Sequence, residues 1–511
     1  MSGHSSKTTS MGKHILVFPF PAPGHILPLL DLTHQLALRG LIITVLVTPK
    51  NLPSVQPLLA RHPSCVKTLV LPFPTATESS SSSGSCLPPG IENLKDLPTS
   101  YIPAMIHAMG QLQESLLEWF RLQIQNSSSP PTAILSDLFL GWTQNLAVRL
   151  DIVRIAFFPM SAHNLSIFDC FVSNLPPRED CKDPNHLFSA SGVPTSPVFP
   201  IYQIHMLHHL YADDSPLWKV MQHNNSLNKA SWGIILNSFP ELEESFLNHL
   251  RNNYGDHGRV WGVGPLLPPI DHHQKNSSVA ARSRGGPSSI SIEQVMSWLD
   301  SCAENRQSVL YVCFGSQIVL NRKQIEVLAM GLELSQVKFI WCVKGISSSS
   351  TSTDDEDIEK PVLPTGFVDR VAGQGLVIKG WAPQVAILSH QAMNTFLTHC
   401  GWNSVLEGLA AGVQLLLWPM INDHFMTAKL LETDLGVAVK ICEGADTVPN
   451  STELARVIAE SVPQGEEGKS RPQIIRAVEM GKMGLEAVKE GGSSFKNLDE
   501  LVSNLNELSV E

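Results

Sequence analysis

HILVFPFPAPGHILPLLDLTHQLALRGLIITVLV, His14 to Val47, is the stretch on which the fold turns. The apolar run His14–Phe20 is cut off by Pro21 and Pro23, a segment of helical spacing runs from Ile26 to Gly40, and a second apolar run, Leu41–Val47, follows. Strand, helix and strand in that order imply a βαβ unit and a parallel sheet covered on both faces. The alternation continues in AILSD (Ala133–Asp137), VRIAFF (Val153–Phe158) and WGIILNS (Trp232–Ser238).

Between Gly264 and Ser291 the composition shifts to Pro, Gly, Ser and polar residues, which suits a domain connection. The strand pattern then restarts in SVLYVCFGS (Ser308–Ser316), KFIWCVK (Lys338–Lys344), GLVIKGW (Gly375–Trp381), NTFLTH (Asn394–His399), LLLWP (Leu415–Pro419) and VAVKI (Val437–Ile441). The predicted fold class is therefore α/β, with two doubly wound parallel-sheet domains. The expected boundaries are an N-terminal domain over 11–263, a linker over 264–291, a second domain over 292–481 and a C-terminal helix over 482–511 whose docking place the sequence does not reveal. Three Ser-rich segments, Thr75–Gly90, Gln125–Pro131 and Gly345–Lys360, read as mobile surface loops, and the carboxylates Asp354, Asp355, Glu356 and Asp357 in the last of them as solvated.

The chain has 511 residues, too many for one core, and its 43% apolar and 16% charged composition is that of a globular protein. A formal net charge of −11 argues against nucleic acid or an anionic membrane as partner, so any bound phosphate must be held by local dipoles and a few placed donors. No apolar run reaches membrane-spanning length, and the polar start MSGHSSKTTSMGK reads as neither signal peptide nor anchor. Nine scattered cysteines with no C-x-x-C pair suit a reducing compartment, and the expectation is a cytoplasmic monomer.

The chemistry concentrates between Trp381 and Phe425, WAPQVAILSHQAMNTFLTHCGWNSVLEGLAAGVQLLLWPMINDHF. The strand ending at His399 meets a turn at Gly401, and a helix opens near Asn403 and Ser404. A helix N-terminus offers unpaired N–H groups and partial positive charge, which together suit a diphosphate. Ser404-x-x-Glu407 also reads as a capping box. Against that, Glu407 stands one turn into the helix, where a carboxylate can accept from both ribose hydroxyls. Trp381 and Gln384 put a flat indole and an amide on one turn, suited to a planar base, and Ser316 stands at a strand's C-terminal edge, where open α/β sheets bind ligands.

These residues resemble the signature box of plant UDP-dependent glycosyltransferases, from W-A-P-Q through H-C-G-W-N-S and E to W-P and an acidic residue. P-A-P-G-H near the start and E-G-G-S-S before the last helix extend the resemblance over nearly the whole chain, closest to the group that modifies flavonoids and other small phenolics. It implies a GT-B architecture, two facing Rossmann-like domains with a UDP-sugar as co-substrate on the second and the acceptor on the first. It further implies that Trp381 stacks on uracil with Ala382 beside it, Gln384 meets the uridine and Glu407 holds the ribose. His399, Gly401, Asn403, Ser404 and Ser316 would face the diphosphate, and Trp402, Asp423 and His424 the sugar.

In the first half, His25 stands where a strand gives way to a helix, and Asp137 ends a strand that opens at the same sheet edge. A neutral imidazole can take a proton from an acceptor hydroxyl while a carboxylate fixes its tautomer, and the resemblance implies the same roles, with inversion at the anomeric carbon and no metal. Phe20, Met105, Phe139 and Phe158 are candidates for an apolar acceptor pocket. Two departures stand out. Gln414 replaces a usual proline, and His424 stands where glucose-transferring members carry Gln. With Pro159 and Met160 near the sugar's C6, His424 suggests rhamnose, or else arabinose or galactose, with glucose as alternative. A catalytically silent nucleotide-sugar binder is the different-class alternative; a dehydrogenase is disfavoured, since FPFPAPGH is not G-x-G-x-x-G.

Overall fold

The computed structural model describes residues 12–74, 87–95, 97–126, 129–204, 207–254, 258–269, 286–304, 308–344, 362–463 and 470–508. Most of the three Ser-rich segments, the acidic run Asp354–Asp357 and residues 270–285 of the expected linker lie outside the described residues.

The N-terminal strands are β1 (His14–Phe18), β2 (Ile42–Val47), β3 (Val66–Val70), β4 (Ala133–Asp137), β5 (Val153–Phe158), β8 (Gly233–Leu236) and β9 (Val260–Gly262), while β6 (Leu187–Ser189) and β7 (Val198–Pro200) pair as a small antiparallel ribbon. The seven form one sheet in the order β3-β2-β1-β4-β5-β8-β9, parallel throughout. The second sheet contains β10 (Val309–Cys313), β11 (Lys338–Val343), β12 (Gly375–Lys379), β13 (Met393–Thr398), β14 (Gln414–Leu417) and β15 (Ala438–Lys440), in the order β12-β11-β10-β13-β14-β15, again parallel. In each sheet the strand order reverses beside the first strand, between β1 and β4 and between β10 and β13. A doubly wound sheet opens a crevice there, at the carboxyl ends of its strands. Both crevices face one cleft, so this is the GT-B architecture.

Burial explains which strands were legible. β1, β4 and β10 are buried along their whole length and each carries a run of at least three consecutive apolar residues. The edge strand β3, VKTLV, buries only Val66, and β9 has three residues, so neither carries a pattern in the sequence.

Two expected boundaries move. The position 481/482 falls inside the continuous helix Pro472–Ala487. This helix straddles both domains: the Cα of Gly481 lies under the Leu409 carbonyl, where a Cβ would meet it at 2.5 Å, and at Gly484 a Cβ would meet Phe239 at 3.2 Å. The real break is Gly491–Gly492, with Gly491 at φ +81°. Beyond it helix Ser493–Glu507 returns to the first domain, burying Leu498, Leu501, Val502 and Leu505 with Ile15, Val17 and Ile43. Asn497 Nδ2 donates to the Gly262 carbonyl at 2.7 Å, and Arg39 pairs with Asp499 at 2.8 Å. The ends of the expected linker are not free connections either. Leu266 N donates to Asn237 Oδ1 at 2.9 Å, and Ser288 bridges Gly380 while Trp381 N donates to the Pro287 carbonyl at 3.0 Å.

Candidate active site

The two crevices enclose a cavity of about 1310 Å³, above the ~300–1,000 Å³ of an ordinary ligand pocket and large enough for two reactants side by side. His25, Phe139 and Pro159 form part of its first-domain wall. On the opposite wall stand Ser316, Trp381, Ala382 and Gln384; His399, Gly401, Trp402 and Asn403; and Ser404, Glu407, Asp423 and His424. Phe20, Met105 and Phe158 are not on the wall, a correction to the expected acceptor pocket. They are at most 2% exposed and sit in the core behind it: the aromatics Phe20 and Phe158, which follow or end strands, turn into the core, and Met105 lies on the buried face of helix Ile102–Gly110. Met160 packs on the same core.

His25 lies in the first turn of helix Pro23–Leu38, directly after β1, and Asp137 is the last residue of β4. Their strands are neighbours at the switch point, which brings Nδ1 of His25 to 2.8 Å from Oδ2 of Asp137. A carboxylate only accepts, so Nδ1 carries the proton and Nε2 keeps its lone pair. The carboxylate is fully buried and the imidazole 21% exposed. Phe139 stacks on the imidazole at 5.0 Å, and its N–H donates to Asp137 Oδ1 at 2.9 Å. Phe20 meets the ring edge-on at 5.5 Å, so it supports His25 from the core.

Beneath the dyad lies a residue that sequence reasoning missed. Arg154, on β5, is 1% exposed and donates to Ser136 Oγ at 2.9 Å, Asn228 Oδ1 at 2.9 Å, Ser231 Oγ at 2.7 Å and the Asp137 carbonyl at 3.2 Å. Burial pushes its guanidinium down to about 9, with Asp137 pulling it back, so it is a cation at neutral pH. Asn224 and Asn228 clamp the Leu138 carbonyl at 2.8 Å each, holding the segment that follows Asp137. The available signal was an arginine inside the otherwise apolar VRIAFF, a charge that needs buried partners.

On the facing wall, helix Trp402–Ala410 begins after Gly401 with no side-chain cap. Ser404 is its third residue, which excludes the capping-box reading. Gln384 Nε2 instead donates to Ser404 Oγ at 3.0 Å and Glu407 Oε2 at 2.7 Å, and Tyr311 donates to Gln384 Oε1 at 3.3 Å. His399 is wedged between two glycines: a Cβ at Gly315, whose φ is +72°, would meet its ring at 2.5 Å, and one at Gly401 at 2.4 Å. Its Nδ1 is buried without a hydrogen-bond partner. Burial and the neighbouring His424 hold His399 well below the usual histidine range, and burial alone pushes His424 down to about 3. The two rings meet edge to face at 4.8 Å, and both are neutral at physiological pH. His424 Nδ1 accepts from Ile421 N at 3.4 Å, which leaves Nε2 as the protonated nitrogen.

The two walls are tied together. Trp402 Nε1 donates to the Asn237 carbonyl at 2.7 Å, so that donor is engaged by the first domain. Asn403 Nδ2 donates to the Gly24 carbonyl at 2.8 Å. That carbonyl is available because its helical partner would be the N–H of residue 28, and Pro28 has none. Asn164 reaches the Asp423 carbonyl at 3.3 Å and Thr427 Oγ1 at 2.8 Å from helix Ala162–Ser173. Glu243 anchors the start of that helix, accepting from Ala162 N at 3.0 Å, His163 N at 2.8 Å and the Ser238 hydroxyl.

The class defined by fold and cleft agrees with known proteins. The profile of the UDP-glucoronosyl and UDP-glucosyl transferase family matches residues 291–460. The chain is 47% identical to UDP-glycosyltransferase 89B2 of Stevia rebaudiana, over 97% of this chain and 98% of that one. It is 44% identical to the flavonol 3-O-glucosyltransferase UGT89B1 of Arabidopsis thaliana, over 97% of each. The crystal structure of Arabidopsis thaliana UGT89C1 with UDP-L-rhamnose superposes with a TM-score of 0.75 at 37% identity, covering 97% of this chain and 100% of that one. The chain belongs to the plant UDP-glycosyltransferase family, glycosyltransferase family 1, and a UDP-sugar is its co-substrate. Among the described residues no helix is long and apolar enough to cross a membrane.

Two predictions follow from this geometry. Pro28→Ala restores an N–H that competes with Asn403 for the Gly24 carbonyl; steady-state kinetics should show kcat/KM lower by about two- to tenfold, the worth of one neutral hydrogen bond, with helix content by circular dichroism unchanged. His424 binds a proton more weakly folded than unfolded, so its contribution to stability is complete above pH ~6.5 and falls as pH drops toward 3. Between pH 7 and 4 the fall of Tm with decreasing pH should therefore be smaller for His424→Gln than for the parent protein.

Proposed function

We propose that this enzyme transfers a sugar from UDP to a hydroxyl of a flavonoid or similar small phenol, with inversion at the anomeric carbon. The observation that carries the reading is the 2.8 Å His25–Asp137 contact opening into the same cavity as the Trp381, Gln384 and Glu407 group. Nε2 of His25 takes the proton of the acceptor hydroxyl as its oxygen attacks the anomeric carbon. Buried Asp137 stabilises the imidazolium that forms, and the charge of Arg154 below, which bonds the Asp137 backbone carbonyl, keeps that carboxylate from being an isolated buried charge. Attack from the face opposite UDP inverts the centre.

UDP then leaves toward helix Trp402–Ala410, whose N-terminal dipole, with Asn403 and Ser404, offsets the charge on the diphosphate. His399 and His424 are neutral and act as hydrogen-bonding groups there. The uracil stacks on Trp381 and bonds Gln384. Glu407, already oriented by Gln384, takes the ribose hydroxyls. Apolar Phe139 and Pro159 on the opposite wall suit an aromatic acceptor.

For the donor we favour a sugar other than glucose, rhamnose first. His424 offers the sugar one N–H, whereas the Gln of glucose-transferring members offers a donor and an acceptor, and Pro159 gives no hydrogen bond to a 6-hydroxyl. The relative solved with UDP-L-rhamnose supports this; the flavonol 3-O-glucosyltransferase at 44% identity supports UDP-glucose as the second reading.

His25→Ala should lower kcat by about 10²–10⁴-fold while UDP still raises the melting temperature as in the parent; turnover of a phenol at the parent rate would overturn the base assignment, and with it the case against a silent binding protein. With a flavonol acceptor, a panel of UDP-glucose, UDP-galactose, UDP-xylose, UDP-arabinose and UDP-rhamnose read by mass spectrometry should give the highest kcat/KM with UDP-rhamnose. Preference for UDP-glucose would refute the role given to His424.

A further inference from the structure

We propose that Cys313 and Cys342 form a dithiol site in the wall of the donor pocket, that a peroxide converts the pair to a disulfide, and that this bond weakens the binding of UDP-sugars. The two residues are register partners on the parallel neighbours β10 and β11. Partners in register project from one face of a sheet with the strands about 4.8 Å apart, inside the roughly 4.4–6.8 Å that a disulfide spans between Cα atoms. Both are free thiols, their side chains perturb each other electrostatically, and both line the cavity.

The position of the pair ties it to the ligand groups. Cys342 Sγ donates to the Gly380 carbonyl at 3.3 Å and contacts the backbone of Ala382, so it is held by the two residues that flank Trp381. Cys313 contacts the backbone of Gly315 and the side chain of Tyr311, whose hydroxyl bonds Gln384. The inference rests on the proposed reading of Trp381 and Gln384 as the uracil site. Closing the disulfide takes Cys342 Sγ from Gly380 and Ala382 and releases the turn on which the indole is mounted.

The chemistry balances with a hydroperoxide as oxidant. The Cys313 thiolate attacks one peroxide oxygen, the O–O bond breaks, hydroxide leaves and a sulfenic acid forms. The Cys342 thiolate then attacks that sulfur, the S–S bond forms and a second hydroxide leaves. With the two thiol protons the hydroxides become water, and two electrons have passed from sulfur to peroxide. The contact between the two thiols draws Cys313 down and, with burial, pushes Cys342 up, so within the pair Cys313 is the thiol that ionises first.

The test uses the full chain, reduced, then treated with hydrogen peroxide with and without UDP and cleared with catalase; peptides are mapped by mass spectrometry and the Kd for UDP is measured by calorimetry. We expect a Cys313–Cys342 cross-linked peptide without UDP, its suppression by UDP, and a Kd raised about tenfold or more, the scale of one lost base-on-aromatic stack, with recovery in dithiothreitol. Cys342→Ser, whose hydroxyl can still bond Gly380, should keep its own Kd through the treatment. Oxidised cysteines without the cross-link, or a cross-link with unchanged Kd, overturn the inference. Failure of the reduced parent to bind UDP at all would instead remove the nucleotide reading on which it rests.

Discussion

The hydrogen bond from Asn403 Nδ2 to the Gly24 carbonyl, 2.8 Å across the cleft, is the constraint on which the rest of the site depends. It joins the start of the second domain's key helix to the residue just before His25, so the two switch points keep a common register. A carbonyl inside a helix is normally spent on the N–H four residues on. Pro28, in the second turn of its helix, has no N–H, and the internal bond lost there is replaced by the one from Asn403. One residue thus converts a helical acceptor into an interdomain one. Trp402 to Asn237 and Asn164 to Asp423 and Thr427 repeat the pattern, each a single polar group of one domain completing the backbone or side chain of the other.

These contacts stand on buried polar groups that are expensive to place and therefore rigid. Arg154 and Glu243 are both nearly inaccessible to solvent, and each is surrounded by partners that match its donors or acceptors. Removing one hydrogen-bond partner from such a buried group costs about 1–3 kcal/mol. The satisfied network consequently permits one arrangement of the Asp137 strand end and one placement of helix Ala162–Ser173. The geometry of the His25–Asp137 pair is set from below by this layer, and the partly exposed His25 ring is its tip.

Legibility differed between the two halves for physical reasons. In the second domain the six strands are mostly apolar and separated by turn signals, and the box from Trp381 to His424 places its polar residues on consecutive strand-to-helix crossings, so local order in sequence becomes local order on one wall. In the first domain the wall is assembled from segments far apart in the chain. Phe139 and Phe158 both look like strand-end aromatics; Phe139 reaches the cavity and Phe158, 2% exposed, faces the core, because the direction of a side chain at a strand end depends on the turn that follows. The role of Arg154 was not legible because its four partners come from β4 (Ser136 and Asp137), helix Pro216–Lys229 (Asn228) and the turn after that helix (Ser231).

The sequence by itself determined the alternation of strands and helices, the restart of that pattern after residue 291, and the identity of the polar residues that must sit at helix N-termini, because these depend on period, turn chemistry and caps within a few residues. Tertiary structure alone decided which aromatics line the cavity, that the Pro472–Ala487 helix spans the domains, and that helix Ser493–Glu507 closes against the first sheet. It also decided that His399 and His424 are neutral, since that follows from burial rather than from neighbours in the chain. Such properties depend on which surfaces meet when distant segments pack, and an apolar stripe carries no record of the stripe it will cover.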